Sequence, residues 1–158
     1  EIPSIKLDLA EGSEDDITFC LDAVDSYGII PLIENSADSV FRDSAHLQDF
    51  IKKHQSRGCK MIFNPLEFVK TGRHPFFHVY YSSRLKNYIM VLRIIDGLYT
   101  DGSKVPPGHG NGEIKELISI MKARSFNGYY SVSPYIPDAG GHFLEETIAW
   151  LRHVLKNI

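Results

Sequence analysis

The chain has 158 residues, 43% of them hydrophobic and 23% charged, with a formal charge of −3. That is the composition of one globular domain of the usual ~100–200 residues, and it excludes disorder and collagen-like repeats. Every apolar run stops short of the ~18 residues of a membrane span, no basic flank and apolar stretch form a signal peptide, and the mildly acidic balance offers phosphate backbones nothing, so neither a membrane nor nucleic acid is expected as a partner.

In chain order, Ile5–Leu9 alternates as a short strand. Ser13 then reads as an N-cap with Asp16 at the third helical position, and Ile17, Cys20, Leu21 and Val24 follow at helical spacing until Gly28. Ile29–Ile33 is a second buried strand ending in Glu34 and Asn35. Ser44 caps a helix with Leu47, Phe50, Ile51 and His54 on one side and Gly58 as its stop, and the strand Lys60–Phe63 runs into Asn64-Pro65. Phe76–Leu85 reads as an aromatic-rich helix. Tyr88–Ile95 is a continuous apolar strand of the kind covered on both faces, ending at Asp96. The glycine-rich stretch Gly108–Gly112 leads into a helix with Ile114, Leu117, Ile118 and Met121 on one face. Tyr129–Val132 is the last strand, ending at Ser133-Pro134, and the last helix carries Leu144, Ile148, Leu151 and Leu155.

The tally is about five βα units over residues 1–158 with no linker between them, which predicts an α/β domain with a parallel sheet and outer helices. A complete (β/α)₈ barrel takes roughly 250 residues, or about 31 per unit, so five units need about 156. The length therefore suits five units of a barrel, or an open doubly wound sheet. Cys20 in a helical pattern and Cys59 at a strand start, without CxxC spacing, read as reduced core thiols, which points to the cytoplasm.

Both architectures gather functional side chains at the carboxyl ends of the strands. Those ends carry Glu34 and Asn35, Asn64 and Glu67, Arg93 and Asp96, and Ser133. Any single one is explained by polarity beginning where burial stops; converging together, they make a pocket. His109 lies in the glycine-rich loop ahead of a helix, where amides could hold a phosphate or carboxylate, although a plain turn explains three glycines as well. The remaining histidines form no HExxH or Cys/His array.

At these strand ends the sequence resembles the xylose isomerase-like TIM-barrel superfamily, which includes sugar phosphate isomerases and epimerases and endonuclease IV. Ile30-Pro31-Leu32-Ile33-Glu34-Asn35 looks like the family's fifth strand, Phe63-Asn64-Pro65-Leu66-Glu67 like its sixth, Leu92-Arg93-Ile94-Ile95-Asp96 like its His-x-x-Asp strand end, Pro107-Gly108-His109-Gly110 like its Gly-Glu-Gly loop, and Asn127 to Pro134 like its last strand. The resemblance implies a partial TIM barrel, strands four to eight, and a small carbohydrate ligand. Glu34 stands where the family has a metal-binding Glu, but Asn64 replaces an Asp, Glu67 and Arg93 replace histidines, and Ser133 replaces the final Glu. Glu34 is thus the single ligand-type residue retained. A guanidinium repels a cation and suits a carboxylate, so no cofactor is expected, and Mn, Mg or Zn would need the site to be completed otherwise.

The resemblance leads us to expect a sugar (phosphate) isomerase/epimerase-like protein of weak or absent activity. Glu34, Arg93 and Asp96 are its candidate catalytic residues: Arg93 either neutralises Glu34 and Asp96 in a structural network or steadies an enediolate while Glu34 moves a proton. Asn35, Asn64, Glu67, His109 and Ser133 are the candidate substrate-binding residues. A non-catalytic carbohydrate-binding or assembly module on the same scaffold is the alternative. The start at Glu1 without Met suggests the latter part of something longer, and the two outer strands should be covered by a second copy or by the N-terminal half of the barrel.

Overall fold

The computed structural model of the chain describes residues 3–7, 13–136 and 140–158. Five strands, β1 (Ser4–Leu7), β2 (Ile30–Glu34), β3 (Lys60–Phe63), β4 (Ile89–Arg93) and β7 (Tyr129–Ser131), lie side by side in chain order, every pair parallel. Between β4 and β7, β5 (Asp96–Gly97) and β6 (Lys104–Val105) form a small antiparallel ribbon. Right-handed crossovers that never reverse direction put every helix on one face, whereas a doubly wound sheet reverses and splits its helices between two. The sheet therefore curls into part of a TIM barrel, ringed by α1 (Glu14–Asp25), α2 (Ser44–Lys53), α3 (Pro65–Lys70), α4 (Ile114–Ala123) and α5 (Phe143–Asn157).

The core lies between sheet and helices. Ile33, Met61, Phe63 and Leu92 point outward from the strands and meet Leu21 of α1, Leu47 and Ile51 of α2, and Leu117 and Ile118 of α4, all buried. Burying each such side chain contributes about 1.5–3 kcal/mol, so helical and strand periodicity were both readable. Among the described residues no helix is long and apolar enough to cross a membrane.

Several elements differ in detail from their expected form. The predicted first strand reaches Leu9, but residues 8–9 lie outside the described ones. Ser13 caps α1 with a reciprocal Asp16 box, as predicted. Cys20, however, is exposed, because it sits about 60° round the helix from Ile17, beyond the arc that Ile17 and Leu21 bury. Asp43, not Ser44, caps α2: its Oδ1 accepts from the N–H groups of Ala45 and His46, both at 3.0 Å. The aromatic stretch forms a π-helical turn over Pro75–Tyr81 and a 3₁₀ turn over Leu85–Asn87 rather than one helix.

β4 ends at Arg93 instead of Ile95, since the chain turns away to begin β5 at Asp96, and only its Leu92 is buried. The inner face of an arc is less covered than that of a filled ring. β7 likewise ends at Ser131. On α5 the buried stripe is Phe143, Thr147, Leu151 and Val154, which leaves Leu144 exposed: Phe143 is drawn in by an edge-on contact with Tyr135, ring centres 5.2 Å apart.

The two thiols should react at different rates. Burial pushes Cys59 up to about 12, while Cys20 is open to solvent. A thiol reagent should modify one cysteine in the native protein and two in denaturant; rapid modification of both, or of Cys59 first, would contradict the packing of β3.

Candidate functional site

Side chains alternate along a strand, so the parallel register sorts the polar residues by face. Lys6 lies opposite Leu32, putting Lys6 and Glu34 on the inner face; Glu34 lies opposite Ile62, Ile62 opposite Val91, and Arg93 opposite Ser131. Hence Lys6, Glu34, Asn64, Arg93 and Ser131 share the concave side of the sheet near its carboxyl edge.

They form one network. Glu34 Oε1 accepts from Arg93 Nε at 3.1 Å and from Asn64 Nδ2 at 2.8 Å. Its Oε2 accepts from Arg93 Nη2 at 3.1 Å and pairs with Lys6 Nζ at 2.8 Å. Arg93 Nη1 continues to Ser131 Oγ at 3.0 Å. A carboxylate offers about four lone-pair sites, and four donors use them. Burial alone would raise the Glu34 pKa; the hydrogen bonds from Arg93 and Lys6, the Arg93 charge and the Asn64 amide outweigh it and hold the carboxyl below its ordinary range.

Asn64 is buried, and its Oδ1, shielded from solvent, meets no donor among the described residues. Flipping the amide would turn that oxygen onto the Glu34 carboxylate, so the network fixes its orientation. Asn35 points the other way: Nδ2 donates to Asn64 O at 2.9 Å and Oδ1 accepts from Asn64 N at 2.8 Å, so this side chain brackets a strand end. Glu67 accepts from Lys70 Nζ at 2.6 Å, within α3, and from Ala37 N at 2.9 Å, which ties the loop after β2 to α3. Among the described residues, Lys6, Leu7, Glu34, Asn35, Ser36, Asn64 and Glu67 line an open-sided cavity of about 190 Å³.

The other candidates lie apart. Asp96 does not reach Arg93. It is fully buried, and its oxygens accept from the N–H groups of Gly97 (2.8 Å), Gly108 (2.9 Å), Gly110 (3.0 Å) and Gly112 (2.7 Å). The glycine-rich loop is thus an anion nest filled by the chain's own carboxylate. A Cβ on Gly110 would come within 2.4 Å of both Asp96 Oδ1 and Gly97 O, which is why glycine stands there. His109 is exposed beside Pro106, Phe143 and Trp150, and Ser133 is half-buried past the end of β7. Two members of the network, Lys6 and Ser131, were not singled out in the sequence. Their signal was positional: both sit at inner-face positions of strands, which appears only once the strands are set in register.

A divalent ion needs lone pairs converging on one point. Here the Glu34 lone pairs are taken, two cations stand within hydrogen-bonding distance of it, and like unit charges ~4 Å apart repel by about 4 kcal/mol at an effective dielectric of 20. Among the described residues, those at this site do not fit a metal. Lys6, Arg93 and Glu34 together carry a net charge of +1.

A family model described as a xylose isomerase-like TIM barrel matches residues 10–154. Among solved structures, a D-tagatose 3-epimerase-like protein superposes with a TM-score of 0.75 at 15% identity, covering 97% of this chain and 61% of that one. A 3-keto-D-glucoside 4-epimerase from E. coli follows at 0.67 and 14%, covering 89% and 52%, and endonuclease IV from Thermus thermophilus at 0.58 and 12%, covering 95% and 61%. These likenesses concern the fold, and the chain spans about half to three fifths of those proteins. No curated protein sequence matches it.

Proposed function

Because the chain belongs to the xylose isomerase-like TIM-barrel family, we propose that it is a sugar or sugar phosphate isomerase/epimerase-like protein that holds a small carbohydrate in the cavity beside Glu34 and turns it over weakly or not at all. The observation that carries this reading is the Glu34 carboxylate, whose oxygens already accept from Arg93, Asn64 and Lys6. Moving a proton beside a carbonyl needs a base with a free lone pair and a donor aimed at the developing oxyanion. Glu34 lacks the first, and the Arg93 guanidinium is spread over Glu34 and Ser131. The kinds of structure it resembles, a D-tagatose 3-epimerase-like protein and a 3-keto-D-glucoside 4-epimerase, support ketoses and keto sugars as ligands.

The test is deuterium exchange. With D-tagatose, D-fructose and their phosphates in D₂O, the protein should bind and add deuterium next to the carbonyl far more slowly than the ~1–10³ s⁻¹ turnover typical of enzymes, or not at all. Exchange at such rates, abolished in Glu34→Gln, would overturn the reading and make this a fully active enzyme.

The assembly reading has its own support. β1 and β7 are the sheet's outer strands, each paired on one side, and Ile5 and Tyr129 on them are exposed. Open edges of this kind are templates for pairing, so a second copy or further βα units of the barrel would cover them. An exposed Cys20 and a buried Cys59, both free, favour a reducing compartment such as the cytoplasm.

A further inference from the structure

We infer that the flank of α5 turned away from α4 is where a second copy of this chain docks, helix against helix, antiparallel about a two-fold axis. The inference is independent of the carbohydrate reading and takes the assembly reading further, naming the partner, the face and the direction.

α5 carries two stripes. One, Phe143, Thr147, Leu151 and Val154, is buried against the core. The other, Leu144, Ile148, Leu151 and Leu155, has its centre about 70° further round the helix at 3.6 residues per turn. Leu144 is 37% exposed, and Ile148 and Leu155 are half-buried. The steps of four, three and four residues are those of a helix–helix seam. This second stripe faces away from α4, because on the opposite side Glu146 and Trp150 line a cavity with Pro106 and Pro107, in the stretch that leads into α4. β7 is an outer strand, so among the described residues no further strand lies on the side the stripe faces.

The stripe is complementary to itself when the second helix runs the opposite way. With the pair centred between Ala149 and Trp150, Leu144 meets Leu155 of the second copy, and Ile148 meets Leu151 of the second copy. The solvent side of the stripe carries Glu145 near the start of the helix and Arg152 and Lys156 near its end, all exposed. An antiparallel pair sets each Glu145 between Arg152 and Lys156 of the other copy, and opposes the two helix dipoles. A parallel pair would set Glu145 beside Glu145 and align the dipoles. Helices of further βα units would run parallel to α5, so the charge pattern selects a second copy.

The experiment is sedimentation velocity of the whole chain over a range of concentrations. The chain should pass between monomer and dimer, with the dimer weaker in high salt. Leu144→Glu should weaken the dimer at least about a hundredfold, about tenfold from each copy, because a carboxylate would be buried against Leu155; the far-UV circular dichroism should stay unchanged. Glu145→Lys in one chain, and Arg152→Glu with Lys156→Glu in another, should each weaken self-association about tenfold, and mixing the two chains should restore the dimer, because opposite charges then meet at both ends. A chain that stays monomeric, or a mixture that associates no better than its parts, would overturn the inference. A dimer untouched by Leu144→Glu would also overturn it while leaving the assembly reading to the sheet edges.

Discussion

Replacing Arg93 with methionine should destabilise the fold by about 3 kcal/mol, the low end of the ~3–5 kcal/mol typical of breaking a buried ion pair. The Glu34 side chain is 10% exposed and loses two of its four donors, while Lys6 and Asn64 keep the rest, so the low end applies. Replacing both members, Glu34→Leu with Arg93→Met, should cost less than Arg93→Met alone, about 1–2 kcal/mol, because no buried charge is stranded and only the Asn64 amide loses its acceptor. Chemical denaturation of the two single variants and the double variant gives the coupling directly. A loss below about 1 kcal/mol for Arg93→Met alone would mean that Glu34 is better hydrated than its burial implies.

The same network sets an acid limit. The folded-state pKa of Glu34 lies below its unfolded value of about 4.3, so the folded chain binds fewer protons there. Its contribution is fully present above that value and is lost as pH falls from about 4.3 through the lowered pKa. The denaturation midpoint should drop more steeply over that window in the unaltered chain than in the Glu34→Leu, Arg93→Met double variant.

The parts of this protein legible in its sequence are those governed by one repeating physical preference. Ile17 and Leu21, Leu47 and Ile51, Leu117 and Met121 fall at helical spacing because each helix has one buried face, and all of them are buried. Five strand–helix alternations at about 31 residues apiece likewise point to a barrel arc, since that length follows from packing one helix over one strand pair. Strand ends on the inner face, Glu34, Asn64 and Arg93, were visible as polar residues closing apolar runs, and they converge.

What was not legible depends on contacts between distant residues. Asn35 and Asp96 look like the other strand-end polar residues, yet one braces a neighbouring backbone and the other fills a loop. Nothing local distinguishes them, because the difference lies in which face of the sheet they leave from and which amides come to meet them. Lys6 was hidden for the opposite reason. In a short alternating strand an exposed lysine is ordinary, and only its register against Leu32 brings it to Glu34.

Asp96 is the second place where a single change should have a large effect. An amide in its position turns an NH₂ group toward N–H donors that the carboxylate now satisfies, so Asp96→Asn forfeits at least two charge-assisted hydrogen bonds. At ~1.5–3 kcal/mol each, the loss is about 3–6 kcal/mol. Hydrogen exchange locates it: the amides of Gly108, Gly110 and Gly112, protected in the unaltered chain, should exchange faster in the variant than those of β2 and β3, whose ladder is untouched. Asp96→Ala empties the nest without adding a donor, and acetate should then raise the melting temperature of that variant while leaving the unaltered chain as it was, because only the variant offers free amides to an external carboxylate. Stabilisation of both chains by acetate would mean that the loop amides are accessible despite Asp96. A variant as stable as the parent, with its glycine amides still protected, would mean that the loop holds its shape by backbone geometry alone.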